Sequence, residues 1–148
     1  MLDGIRNILP GGADYNFQNE YSNLLDGYKK NELVEETRLG LFMLSSIPVD
    51  KAEPSESLKT TTVWSYGTGV TAECLSPTNK LRSSSRDLPL QTENDIRASR
   101  GAYFINADIF LPGQKAEEWF FVCEVDQSTT DVANLQPLPG GWPQLSGS

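Results

Sequence analysis

The sequence predicts an α+β fold, in which an N-terminal helical segment packs on a mainly antiparallel β-sheet or barrel-like β domain. Three observations predict it. Apolar residues between 15 and 28 recur at helical steps of three and four. Runs rich in β-branched and aromatic residues, with period-2 alternation, fill the chain beyond residue 60. Between these halves, "PVDKAEPSESLK" has the proline and hydroxyl content of a connection. If residues 37–47 are extended rather than helical, the alternative is an all-β sandwich. A chain of 148 residues is one domain's length, enough to bury about 68–70% of its unfolded surface. Its expected parts are an arm (1–14), a helical segment (15–47), a β-rich core (60–136) with about five to seven strands, and a Pro/Gly-rich tail (137–148).

In "MLDGIRNILPGGAD", Leu2, Ile5 and Ile8/Leu9 would form one apolar stripe on a helix of two turns, ended by Pro10-Gly11-Gly12. So short a helix is unstable alone, so the arm must dock, on its own domain or on a neighbouring subunit. Asp14 can cap a helix beginning at Tyr15, with Phe17, Tyr21, Leu24, Leu25 and Tyr28 on its apolar positions and Gly27 near its end. "ELVEETRLGLFML", rich in Leu and Glu, reads as a second helix, although Gly40 and the dense apolar run 41–44 leave a buried strand open.

"TTTVWSYGTGVTAECLS" (60–76) has two strand-like runs around Gly67-Thr68-Gly69, which is hairpin punctuation. The polar stretch 76–95, with Pro77 and Pro89, is a long loop and a candidate contact surface. In "GAYFINADIFLPGQKAEEWFFVCEVDQ", Tyr103, Ile105, Ala107 and Ile109 share one strand face, and Phe104, Asn106, Asp108 and Phe110 the other. "PGQK" then turns into a second strand, where Trp119, Phe121, Cys123 and Val125 alternate with Phe120, Val122, Glu124 and Asp126. An antiparallel hairpin is expected. In the tail, Leu138, Trp142 and Leu145 punctuate a segment that forms neither helix nor central strand.

Composition narrows function. A net charge of −8 repels phosphate backbones and anionic lipid, and the basic stretch holding Lys80, Arg82 and Arg86 lacks interleaved aromatics for base stacking. No nucleic-acid partner is therefore expected. Histidine is absent, which removes Ser-His-Asp and Cys-His nucleophile activation within this chain and His-containing zinc sites. Cys74 and Cys123 form no CxxC pair and sit in apolar runs, so buried free thiols are favoured over a disulfide between strands. No signal-peptide pattern opens the chain, and "LGLFMLSSIPV" is shorter than the ~20 residues of a bilayer span. A soluble protein without membrane insertion is expected.

The acids remain. If the two late strands paired, Asp108, Glu124 and Asp126 would share a sheet face, as a general acid and base or a hard-cation site. Period-2 placement of acids on a solvated sheet face is the commoner cause of such a pattern. The residues 124–132 lack the sixth-position glycine and terminal glutamate of a calcium loop, and no phosphate-binding glycine loop occurs. No metal or cofactor is expected. The sequence therefore points to a non-catalytic structural or assembly protein, such as a component of a virion or other symmetric particle, whose partners are copies of itself or other subunits. A small-ligand or carbohydrate-binding module is the alternative, with Trp64, Tyr66, Trp119 and Trp142 as stacking surfaces beside Asp108, Glu124 and Asp126. A hydrolase using those three acids is the third reading.

Overall fold

Ile5 and Ile8, spaced like residues on a helix, lie on a β-strand. The structure, a computed structural model, describes residues 1–13, 15–46, 59–67, 71–73 and 93–135. Its first element is β1 (Leu2–Ile8), and the expected helical arm is corrected. Pairing with β7 (Gly101–Asn106) runs in register until a bulge between Arg6 and Ile8, where Asn7 adopts φ 58°. A bulge inserts one residue and shifts side-chain parity, so Ile5 and Ile8 both reach the core across a three-residue step. The arm thus docks on its own domain.

The helical expectation holds for residues 15–28, but as two short pieces, α1 (Tyr15–Glu20) and α2 (Ser22–Tyr28), interrupted at Tyr21. Leu25 of α2 buries against Ala13 and Leu44. The second expected helix is a β-hairpin instead, β2 (Lys29–Val34) with β3 (Leu39–Leu44). Its turn, Glu35-Glu36-Thr37-Arg38, contains no Gly, Asn or Pro; Arg38 itself takes the left-handed position at φ 57°, where Gly or Asn is usual. The Thr37 and Arg38 amides both donate to the Val34 carbonyl.

Five strands follow residue 60 among the described residues: β4 (Thr60–Gly67), β5 (Thr71–Glu73), β6 (Asp95–Arg97), β7 and β8 (Trp119–Gln127). A short helix, α3 (Thr129–Asn134), comes after them. They join two open antiparallel sheets, a three-stranded one ordered β1-β7-β5 and a five-stranded one ordered β6-β2-β3-β4-β8. The barrel-like option is therefore corrected. So are both expected hairpins. β4 pairs with β3 and β8 while β5 pairs with β7, so these two strands belong to different sheets. β7 and β8 likewise belong to different sheets. The "PGQK" turn exists, with Lys115 N–H donating to the Pro112 carbonyl at 3.1 Å, but it lies within the sheet-changing connection. The connection expected from residue 48, most of the polar stretch 76–95 and the tail lie outside the described residues.

The two sheets share one core. Ile8, Leu33, Phe42, Val63, Tyr103 and Ile105 come from both sheets and form a single buried cluster, flanked by Ile5, Trp119 and Phe121. Burying each such side chain contributes about 1.5–3 kcal/mol. The core thus has the two-sheet character of the sandwich alternative, with a few short helices added. Gly40 is part of this packing. A Cβ there would stand 2.9 Å from the Tyr103 ring. Without one, the Tyr103 hydroxyl reaches the Arg38 carbonyl at 2.9 Å.

Candidate functional site

The residues singled out from the sequence are dispersed. Trp64 is a core residue, buried with Leu39 and Leu41 on the outer face of the five-stranded sheet, beneath Val132 and Leu135. Trp119 packs against the inter-sheet core, and its indole N–H donates to Asp3 Oδ2 at 2.8 Å, tying β8 to β1. Neither is an open stacking platform. Tyr66 is half-buried and stacks on Phe120, its direct cross-strand partner, with ring centroids 5.2 Å apart. Trp142 lies outside the described residues.

The acids are separated by the same topology. Asp108 lies beyond the end of β7, exposed, beside the three-stranded sheet, whereas Glu124 and Asp126 are on β8. The strand pairing that would have aligned them is not formed. Asp126 sits at a second bulge, at φ 57°, and its Oδ1 accepts from the Gly12 amide at 3.2 Å. Its visible role is to hold the turn after β1. Among the described residues no group of three acids, cysteines or histidines is placed to hold a metal ion.

Cys123 is an exposed free thiol, which corrects the expectation of burial; Cys74 lies outside the described residues. Partial desolvation, with the Glu124 charge beside it, pushes the Cys123 thiol above its ordinary pKa, so it stays protonated at neutral pH.

Two features remain as candidate sites. The first is the edge formed by β8. Among the described residues each open sheet has two edges, and most of them are blunted. β5 and β6 are three residues each, and β6 carries Asp95 and Arg97. β1 is kinked by its bulge at Asn7 and bears Asp3 and Arg6. Short length, charge and bulges are the usual protections of an exposed edge. β8 is nine residues long, and Trp119–Cys123 carries no charge and no bulge; Glu117 and Glu118 flank it on one side, and Glu124, Asp126 and the irregular pairing on the other. Phe120 on this stretch is 48% exposed.

The second is a cavity of about 390 Å³, lined by both apolar and polar groups, between the β1 bulge and the two helices. Lys29, at the start of β2, is its buried cation, with only 2% of its side chain exposed. Its Nζ donates to Gln18 Oε1 at 2.5 Å and Asp26 Oδ1 at 2.7 Å. Arg100 Nε approaches the other Asp26 oxygen at 3.5 Å from the rim. Burial pushes the Asp26 carboxyl up, but the Lys29 hydrogen bond and the charges of Lys29 and Arg100 outweigh it and hold the pKa below its ordinary value. Asn7, Asn19, Ser22 and Tyr15 add amides and hydroxyls, over an apolar floor of Ile8 and Leu9. The sequence showed the three-residue spacing of Asp26 and Lys29, but "KKN" reads as a solvated helix end. Its first lysine turns inward because β2 begins there.

No protein-family profile matches the chain, and no curated protein matches it significantly. Among the described residues, no helix is long and apolar enough to cross a membrane.

Proposed function

We propose that the protein is a non-catalytic assembly subunit that pairs with copies of itself through the β8 edge, as in a symmetric particle such as a virion. The observation carrying this reading is the uncharged, unbulged stretch Trp119–Cys123 on a nine-residue strand that is an edge among the described residues, whose other edges are short, charged or kinked. An unpaired edge offers a row of N–H and C=O groups to an incoming strand, and side-chain contacts on alternate positions supply selectivity. Antiparallel pairing of β8 with its own copy about Val122 sets Phe120 opposite Glu124, whereas Asp126 falls opposite Glu118 just outside the strand. A two-fold contact of this kind is self-complementary and closed. The net charge of −8 opposes association at long range, so self-pairing strengthens as salt screens it.

Light scattering on a sizing column, over a range of protein concentration and salt, tests the reading. The expected result is an oligomer that dissociates on dilution. Phe120→Lys, a charge on a half-exposed position, makes it monomeric while the melting temperature changes by only a few degrees. A monomer at every concentration, or an oligomer indifferent to Phe120→Lys, overturns it.

A further inference from the structure

The cavity around Lys29 is independent of the β8 edge and has its own chemistry. A buried lysine costs desolvation that its partners must offset. Here one carboxylate, Asp26, faces two cations, Lys29 and Arg100, leaving the group with one surplus positive charge inside a strongly acidic protein. The donors are not exhausted. An ammonium carries three N–H groups, and Lys29 uses two, toward Gln18 and Asp26. Among the described residues Arg100 is engaged only through Nε, and it is 57% exposed, so its terminal nitrogens remain at the rim. Asn7, Asn19, Ser22 and Tyr15 surround this pair with neutral donors and acceptors. The volume falls within the range of small-molecule sites.

We propose that the cavity binds a small organic anion with a hydroxylated body. The anionic head takes the remaining Lys29 N–H and the terminal nitrogens of Arg100, as in charge-assisted pairing of Arg with phosphate or carboxylate. The body bonds to the amides of Asn7 and Asn19 and the Ser22 hydroxyl. Asp26 keeps the two cations in place and limits the site to a ligand of low charge.

Isothermal titration calorimetry of the intact protein tests this with inorganic phosphate, glycerol 3-phosphate, glycerate and neutral glycerol as probes. Saturable binding of one equivalent of glycerol 3-phosphate or glycerate is expected, tighter than inorganic phosphate, with the better of the two identifying the headgroup. Arg100→Gln, at the exposed rim, should weaken that binding about tenfold or more with an unchanged melting temperature. Asn19→Ala should weaken glycerol 3-phosphate but not inorganic phosphate. Absence of saturable binding by both organic anions, equal binding of glycerol, or an affinity unaffected by Arg100→Gln overturns the proposal.

Discussion

Replacing Asp26 with Asn isolates the electrostatics of the Lys29 group. The substitution keeps shape and one carbonyl oxygen but removes the charge that compensates a lysine with 2% of its side chain exposed. Breaking a buried ion pair from one side costs about 3–5 kcal/mol. Two facts lower that figure here: the Asp26 side chain is itself 24% exposed, and Gln18 still accepts from Nζ. About 2–3 kcal/mol is therefore expected at neutral pH. With a urea m-value of about 2 kcal/mol/M, the midpoint should fall by about 1–1.5 M at constant m, and the melting temperature by about 5–10 °C. The loss depends on pH. Because the folded pKa of Asp26 lies below its ordinary value of 3.8, its contribution is complete above that value and disappears as pH falls through the folded pKa. Urea melts at neutral pH and near pH 3 should show the gap between wild type and variant narrowing in acid. An Asn variant as stable as wild type at neutral pH, or a gap that persists in acid, would refute the reasoning.

Other substitutions test the packing. Thr62 is fully buried and its hydroxyl has no hydrogen-bond partner among the described residues, so Thr62→Val should raise stability by about 1 kcal/mol by removing an unmet desolvation cost; a lower denaturation midpoint would show the hydroxyl to be bonded. A Cβ on Gly11 would meet the Lys59 and Thr60 backbone at 2.4–2.6 Å. Gly11→Ala should thus cost about 2 kcal/mol or more, in the range of overpacked sites, whereas Gly27→Ala in α2, with open space around it, should gain about 0.5–1 kcal/mol in the same melts. Ser128 and Asp131 form a reciprocal capping box at α3, so Ser128→Ala should cost about 1 kcal/mol and speed amide exchange in that helix. A helix exchanging at the wild-type rate would remove the box from its support.

Elements whose signal is local were legible. Thr60–Gly67 and Trp119–Gln127 are strands because alternating β-branched and aromatic residues fit a pleated surface, and the helical steps from Tyr15 to Tyr28 carry two short helices. The box Ser128-Thr-Thr-Asp131 is a readable helix start, set within a segment whose acids also resemble part of a calcium loop. Where bulges or unusual turns intervened, local signals misled. Asn7 changed the parity of β1 so that its apolar spacing imitated a helix. Arg38 occupied a turn position where a glycine would have announced the hairpin.

Residue identity alone established a net charge of −8, the exclusion of histidine chemistry within this chain, and a β-rich second half. These follow from residue identity and short-range periodicity, which folding cannot alter. Tertiary structure alone decided which strands pair. Consecutive strands separated by a turn signal are indistinguishable in sequence whether the chain folds back on itself or crosses to a second sheet, since the choice is made by burial of Tyr103, Ile105, Phe42 and Val63 between the sheets. That choice parted Asp108 from Glu124 and Asp126, buried Trp64, and left β8 as an edge. It also turned Lys29 inward, because a charged side chain's environment depends on what the rest of the chain packs around it.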